Sequence, residues 1–311
     1  MSQERNINVF CRIKPIMPIE NNYPEEEKSN FLNIVSDTTI KIDNKESFNF
    51  SKVFDIKTPE QEIYENSTKN MITNAFQGKT RSIICYGHCC TGKTKTIEQI
   101  ISNTMKDIFK SDISKYSLKI SYFEYYLNEI SDLLNKRTNL GVYENSIKDL
   151  SMSEIKSFDM FNELYNKAKK NRMDLHKEIT KSKMYTNVFN SHSVLTLNIF
   201  KENTNSLGKI FFIDLGGKTK IPKSVCPSGI NLKEVTTLNT SLDNFNGVIR
   251  SLSKKQNTTF SQDKFLKVIK PCFDKESYLS VIIHCANLKM YKNETTQTLE
   301  MSKHFKKLAY I

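Results

Sequence analysis

Residues Ser82 to Thr96, Ser-Ile-Ile-Cys-Tyr-Gly-His-Cys-Cys-Thr-Gly-Lys-Thr-Lys-Thr, constrain this chain more than any other stretch. They read as a buried strand that enters a glycine-led loop and then a helix. In a loop of the pattern G-x-x-x-x-G-K-[ST], backbone N–H groups from Gly87 through His88, Cys89, Cys90, Thr91 and Gly92 point inward at phosphate oxygens. A Cβ at either glycine would obstruct the bend. Lys93 adds a mobile positive charge for the outer phosphates, and Thr94 offers a hydroxyl to the Mg2+ ion that accompanies them. The flanks agree: Ile83 to Tyr86 is a short apolar run, and Ile97, Ile100, Ile101, Met105, Ile108 and Phe109 follow at helical spacing. The competing reading is a glycine turn that binds nothing, and Lys93 and Thr94 weigh against it.

The remaining pattern predicts an α/β fold of the P-loop NTPase type. Ile7 to Ile13 alternates as a strand that Pro15 stops. Pro18 to Asn30 is a polar surface excursion, and Phe31 to Phe50 holds a small meander. Thr58-Pro59-Glu60-Gln61 reads as a capping box opening one helix, with Ile63, Tyr64, Met71, Ile72, Ala75 and Phe76 on its apolar face. Strands follow at Leu118–Tyr126, Val194–Phe200, Gly208–Gly217 and Tyr278–Ala286, and helices at Leu232–Leu252 and Asn293–Leu308. Apolar strands separated by helices imply a central, mostly parallel sheet flanked by helices on both faces. No linker, repeat or low-complexity block divides the chain, so 1–311 is expected to be a single domain.

The chain carries 46 Lys+Arg against 34 Asp+Glu, a net charge of +12, which favours an acidic partner. Charge alone does not choose between nucleic acid, an anionic membrane and an acidic protein. The seven cysteines show no C-x-x-C pair and no metal-ligand spacing, and read as reduced thiols. Cys89 and Cys90 stand apart because a helix N-terminus can lower a thiol pKa and so confer oxidation sensitivity, but the reading of both as tolerated small residues is favoured. No hydrophobic leader or membrane-length run is present, so a soluble cytoplasmic or nuclear protein is expected.

Asp214 ends an apolar strand and is followed by Leu-Gly-Gly. A carboxylate so placed fits D-x-x-G, in which the acid reaches Mg2+ through water and the N–H of Gly217 meets the γ-phosphate. A turn-starting aspartate is the bland alternative, and the phosphate loop in the same chain favours the first. No Asn-Lys-x-Asp tetrapeptide marks a guanine site, so adenine is the expected base and ATP the expected nucleotide.

In this order the residues resemble a kinesin motor domain over nearly all of the 311 residues. Ile7-Asn8-Val9-Phe10-Cys11-Arg12-Ile13-Lys14-Pro15 is similar to the family's first strand. The resemblance implies that Arg12 and Pro15 pack against adenine. Phe54-Asp55 with Gln61 and Tyr64 resembles the approach to the loop, and Ser121-Tyr122-Phe123-Glu124 with Asp132-Leu133-Leu134 the strand and helix beyond it. Ser191-His192-Ser193 looks like the first switch, which makes Ser191 a catalytic candidate beside Lys93, Asp214 and Gly217. Asp214 to Gly217 looks like the second switch, Leu238-Asn239-x-Ser241-Leu242 like the helix that meets the microtubule, and Asn293-Glu294-Thr295 with Thr298-Leu299 like the last helix. The implied partner is tubulin, with a cytoskeletal location on microtubules or spindle. Lys218, Lys220, Lys223, Lys233, Arg250, Lys254, Lys255, Lys264, Lys267 and Lys270 are the cluster for its acidic surface. Each lysine alone is more simply a solvated side chain. Nucleic acid is disfavoured, because no binding motif or aromatic-basic interleaving accompanies these lysines.

The resemblance also has gaps. Val188-Phe189-Asn190 stands where the family has Ser-Ser-Arg, and Thr219 where a glutamate pairs with that arginine. Loss of both partners avoids an unpaired buried charge but weakens closure of the site. Cys90 replaces a usual glycine, Lys95 a base-stacking aromatic, and Ser261 an expected arginine. The expectation is therefore an ATP- and microtubule-binding motor domain with slow hydrolysis. Two alternatives stay open: a pseudo-motor that tethers without turnover, and a P-loop NTPase acting on another anionic partner. No neck or heptad pattern follows the last helix, so dimerisation is not expected to be encoded here.

Overall fold

Short β-branched runs separated by amphipathic segments become one central sheet with helices against each face. The computed structural model describes residues 7–180, 190–201, 208–218, 229–261 and 263–308. In chain order the elements are β1 (Ile7–Ile13), α1 (Glu25–Lys28), β2 (Leu32–Ser36), β3 (Thr39–Ile42), β4 (Glu46–Asn49), β5 (Val53–Phe54), α2 (Glu60–Ser67) and α3 (Lys69–Ala75). They continue with β6 (Thr80–Gly87), α4 (Lys93–Lys110), β7 (Tyr116–Tyr126), β8 (Glu129–Asp132), β9 (Val142–Tyr143), β10 (Ser146–Ile147), β11 (Ser153–Ile155) and α5 (Phe158–Thr180). The last are β12 (His192–Lys201), β13 (Gly208–Asp214), α6 (Gly229–Ser253), α7 (Lys264–Ile269), β14 (Tyr278–Cys285) and α8 (Lys292–Lys306).

The central sheet runs β11-β7-β12-β13-β6-β14-β1-β5, with β8 added to β7. Its parallel half is β13, β6, β14, β1 and β5; β12, β7, β11 and β8 pair antiparallel. The sheet is thus mixed rather than mostly parallel. Antiparallel neighbours can be joined by short turns, whereas parallel ones need a crossover. Leu127 and Asn128, both at positive φ (50° and 66°), make such a turn between β7 and β8. Asp132 therefore ends a strand, where the resemblance implied a helix. The meander of β2, β3 and β4 forms its own three-stranded sheet.

One face of the central sheet packs with residues of α2 to α5, including Ile63, Ile100 and Phe161. The other packs with α6, α7 and α8 through Phe245, Ile249, Phe265 and Phe305. Two local expectations change. Thr58 Oγ donates to Asp55 Oδ1 (2.9 Å) rather than capping a helix, and α2 begins behind Pro59 with no side-chain cap. The single helix expected there is broken at Thr68 (φ −135°). The Ser67 carbonyl at the break accepts from Ser280 Oγ of β14 at 2.9 Å, so the sheet satisfies it. In the polar excursion, Glu20 is buried against Lys14 in an ion pair.

Phe212 of β13 is 1 % exposed, in the core between the sheet and α2 to α5. Phe212→Ala is expected to lower the unfolding free energy by about 3–5 kcal/mol. Urea denaturation would register this as a drop in midpoint at unchanged slope.

Candidate functional site

Parallel strands deliver their C-terminal ends to one edge, and ligands in such sheets bind beyond that edge. β6 and β13 are neighbours with Asp214 opposite Cys85 in register, so the loop after β6 and the acid ending β13 meet. The approach of β14 is equally close. A Cβ on Gly87 would lie 2.4 Å from the carbonyl oxygen of His284, so only glycine fits there. Gly92 sits in the left-handed region (φ 86°) immediately before α4. These constraints open a cleft of about 170 Å³ lined by Cys89, Cys90, Lys93, Thr94, Asp214 and Gly217, together with Gly92, Lys95, Ser191, Leu215 and Gly216.

Lys93 is buried, and its ammonium donates to the carbonyl of His88 at 2.7 Å. Burial holds its pKa below the ordinary lysine range, with Asp214 opposing. Thr94 Oγ donates to Asp214 Oδ2 at 2.7 Å. Burial pushes the Asp214 carboxyl above its ordinary value, against the pull of Arg172, Thr94 and Lys93. Its other oxygen, Oδ1, is buried with no hydrogen-bond partner among the described residues. An orphaned carboxylate oxygen beside a hydroxyl is a donor set of hard oxygens, so the residues fit an Mg2+ ion held by Thr94 and, through water, by Asp214.

His88 and Thr91 lie behind the loop rather than in the cleft. Thr91 Oγ donates to the His88 carbonyl (2.8 Å), and the His88 ring stacks on Tyr291 with centroids 5.2 Å apart. They shape the loop, so their side chains do not face a ligand in the cleft. Cys90 adopts the left-handed conformation (φ 60°) that the usual glycine would take without strain. Arg12 is committed to Thr96 and Glu60. Pro15 lines a separate small cavity with Lys14, Ile16, Glu20 and Ile56.

The two switches are held by different devices. Ser191 Oγ donates to Glu124 Oε1 (2.5 Å) and accepts from Arg172 (2.8 Å); Glu124 also takes Arg172 (2.6 Å) and His176 (2.8 Å). Burial raises the Glu124 pKa, but Arg172, His176 and Ser191 outweigh it and hold the carboxyl at about 2. Sequence reasoning missed Arg172 and His176. Their spacing of four, which puts both side chains on one side of α5, was the available signal. The second switch is anchored by His192, whose Nδ1 accepts the Gly216 N–H at 2.9 Å. Burial, then Arg172 and Lys93, keep this imidazole neutral with a pKa of about 3, so it remains an acceptor. Gly217 presses on the loop: a Cβ there would lie 2.4 Å from Cys89 N.

On the expected partner face, Lys233, Arg250, Lys254, Lys255 and Lys264 are exposed, and Lys267 is half-buried. Lys218 pairs with Asp243 at 2.9 Å. Lys233 and Arg250 lie near opposite ends of α6 and about 100° apart around it, so they do not form one stripe. Val188, Phe189, Thr219, Lys220 and Lys223 lie outside the described residues; Asn190 is half-buried beside Ser191.

A family profile described as the kinesin motor domain matches residues 12–308. The chain belongs to the kinesin motor domain family. This kinesin chain is 26 % identical over 329 aligned residues to the kinesin heavy chain of Drosophila melanogaster, covering 97 % of this chain and 33 % of that one. With human kinesin-1 heavy chain the identity is 27 %, covering 95 % and 32 %. The chain thus spans about a third of the length of these curated relatives. A solved fast kinesin superposes with a TM-score of 0.85 at 24 % identity, over 98 % of this chain and 92 % of its own, which establishes the fold.

Two predictions follow from the buried groups of this kinesin site. His192→Phe preserves stacking on Phe265 (now 4.6 Å between centroids) but removes the acceptor, and should speed amide exchange in 214–218 roughly tenfold. His192→Asn keeps an acceptor oxygen and should restore that protection while lowering global stability. For Glu124, the folded pKa of about 2 lies below the ordinary 4.5, so its stabilisation is full above 4.5 and lost as pH falls towards 2. An acid titration of the midpoint should show this loss, and Glu124→Gln should flatten it.

Proposed function

We propose that this chain is a kinesin motor domain that binds ATP with Mg2+, engages microtubules and turns ATP over slowly. The observation that carries the reading is the Thr94–Asp214 contact on the cleft floor, beside buried Lys93 and the orphaned Asp214 Oδ1. The relatives in this family include kinesin heavy chains, and the fast kinesin is described in terms of its ATPase mechanism and its interactions with microtubules. Lys93 would exchange the His88 carbonyl for outer phosphate oxygens, and the loop N–H groups would take the inner ones. The metal ion, when bound, neutralises charge on the phosphates. The Gly217 N–H would meet the last phosphate of a triphosphate, and Gly217 and Ser191 line the same cleft.

Slow turnover rests on the first switch. Its Ser191 is held by Arg172 and Glu124, but Asn190 and Thr219 supply no charge pair between the switches. A tether that binds nucleotide without hydrolysis is the second reading. It is favoured by the Cys89 N–H, which donates to the Lys218 carbonyl at 3.4 Å and so commits one loop donor to the segment after Asp214. The exposed Lys254, Lys255 and Lys264 support an acidic partner surface such as tubulin.

ATP turnover measured with and without microtubules separates the readings. Microtubule stimulation supports the motor, tight binding at zero turnover supports the tether, and no microtubule binding overturns both. Lys93→Ala is expected to weaken Mg·ATP binding about ten- to hundredfold. It should leave the ligand-free fold intact, because this buried ammonium is held below its ordinary pKa by desolvation.

A further inference from the structure

Two adjacent thiols stand at the lip of the cleft. Cys89 Sγ and Cys90 Sγ lie 3.3 Å apart, and both residues line the cleft beside Lys93 and Lys95. In extended chain, neighbouring side chains point to opposite sides. Here the left-handed turn at Cys90 (φ 60°) goes with their convergence. Cys90 is exposed and Cys89 half-buried. The other described cysteines offer no such pair to solvent: Cys11 and Cys285 are 3.9 Å apart, but these two, with Cys85 and Cys272, are 0 % exposed.

We propose that Cys89 and Cys90 form a chelating dithiol site for a trivalent arsenical or a similar soft, two-coordinate thiophilic centre, and that filling it excludes nucleotide. An arsenic(III) oxide of the type R–As=O condenses with both thiols. Two S–H bonds break, two As–S bonds form, and both protons leave with the oxide oxygen as water. Arsenic stays trivalent and neither sulfur is oxidised. The second bond is intramolecular, so its effective concentration is high and the adduct outlasts any single-thiol adduct. The hydrogen bond between the two thiols, and then burial, raise the Cys90 thiol pKa. Simple alkylation at neutral pH is therefore slow, while chelation proceeds through the neutral thiols. The exclusion half of the proposal rests on the nucleotide reading above: the bound group would occupy the cleft that Lys93, Thr94 and Asp214 line.

The test treats the whole chain, carrying Cys226→Ser to remove the one cysteine outside the described residues, with phenylarsine oxide. Intact mass, thiol titration and peptide mapping are the readouts. The expected result is one arsenic per chain with two thiols consumed in the Cys89–Cys90 peptide. Release should follow addition of 2,3-dimercaptopropanol but not excess glutathione. Cys90→Ser and Cys89→Ser, each added separately, should cut the glutathione-resistant adduct at least tenfold. Binding of a fluorescent ADP should weaken at least tenfold on loading, and ADP should slow loading. An adduct that consumes one thiol, or that survives both serine variants undiminished, overturns the site. Loaded chain that binds ADP as before overturns the exclusion. If untreated chain binds no ADP, the nucleotide reading fails by itself, and the thiol stoichiometry still decides the dithiol site.

Discussion

A carboxylate taken out of water must be answered by donors, and Glu124 is answered three times. Arg172 and His176 reach it from α5, and Ser191 reaches it from the start of the first switch. Removing one donor would leave a charge in low dielectric, which is far more costly than never having buried it. The hub thus fixes the position of Ser191, and with it one wall of the cleft, through a helix that does not itself line the cleft. The Glu124 hub sets where Ser191 stands independently of any charge pair between neighbouring segments.

The second switch depends on a different chemistry. A neutral imidazole, stacked on Phe265 and beside Tyr125, accepts the Gly216 amide, and Gly217 then lies against the backbone of the phosphate loop. Phe265 belongs to α7, whose flanking Lys264 and Lys267 face outward to different degrees. Helix, ring, glycine and loop are therefore in continuous contact from the basic surface to the cleft. Contact of this kind is a physical route for coupling; it becomes allostery only where two arrangements differ in energy.

Much of this was legible in the residues alone. The phosphate loop, the acid after β13 and the helix from Leu232 obey short-range rules of spacing and capping, so a linear reading finds them. The errors have a common cause in distant partners. Thr58 matched a helix cap, but Asp55 won its hydroxyl. Glu20 sat in a polar stretch yet is buried by Lys14. Arg172 and His176 were invisible as a site because their meaning depends on a carboxylate 48 and 52 residues away.

The place of β14 has a consequence for how the chain comes to exist. It lies between β6 and β1, and the carbonyl of His284 is what the bare glycine at the mouth of the loop rests against. During synthesis the antiparallel half, built from near neighbours, can form while the ribosome is still at work. The parallel half waits for β14, which emerges more than 260 residues after β1, the strand it joins. Until then β6 has one open edge and the phosphate loop lacks its floor. A nascent chain of this kind would be unable to close its phosphate loop until β14 has emerged, and the exposed strand edge is what a chaperone would have reason to cover.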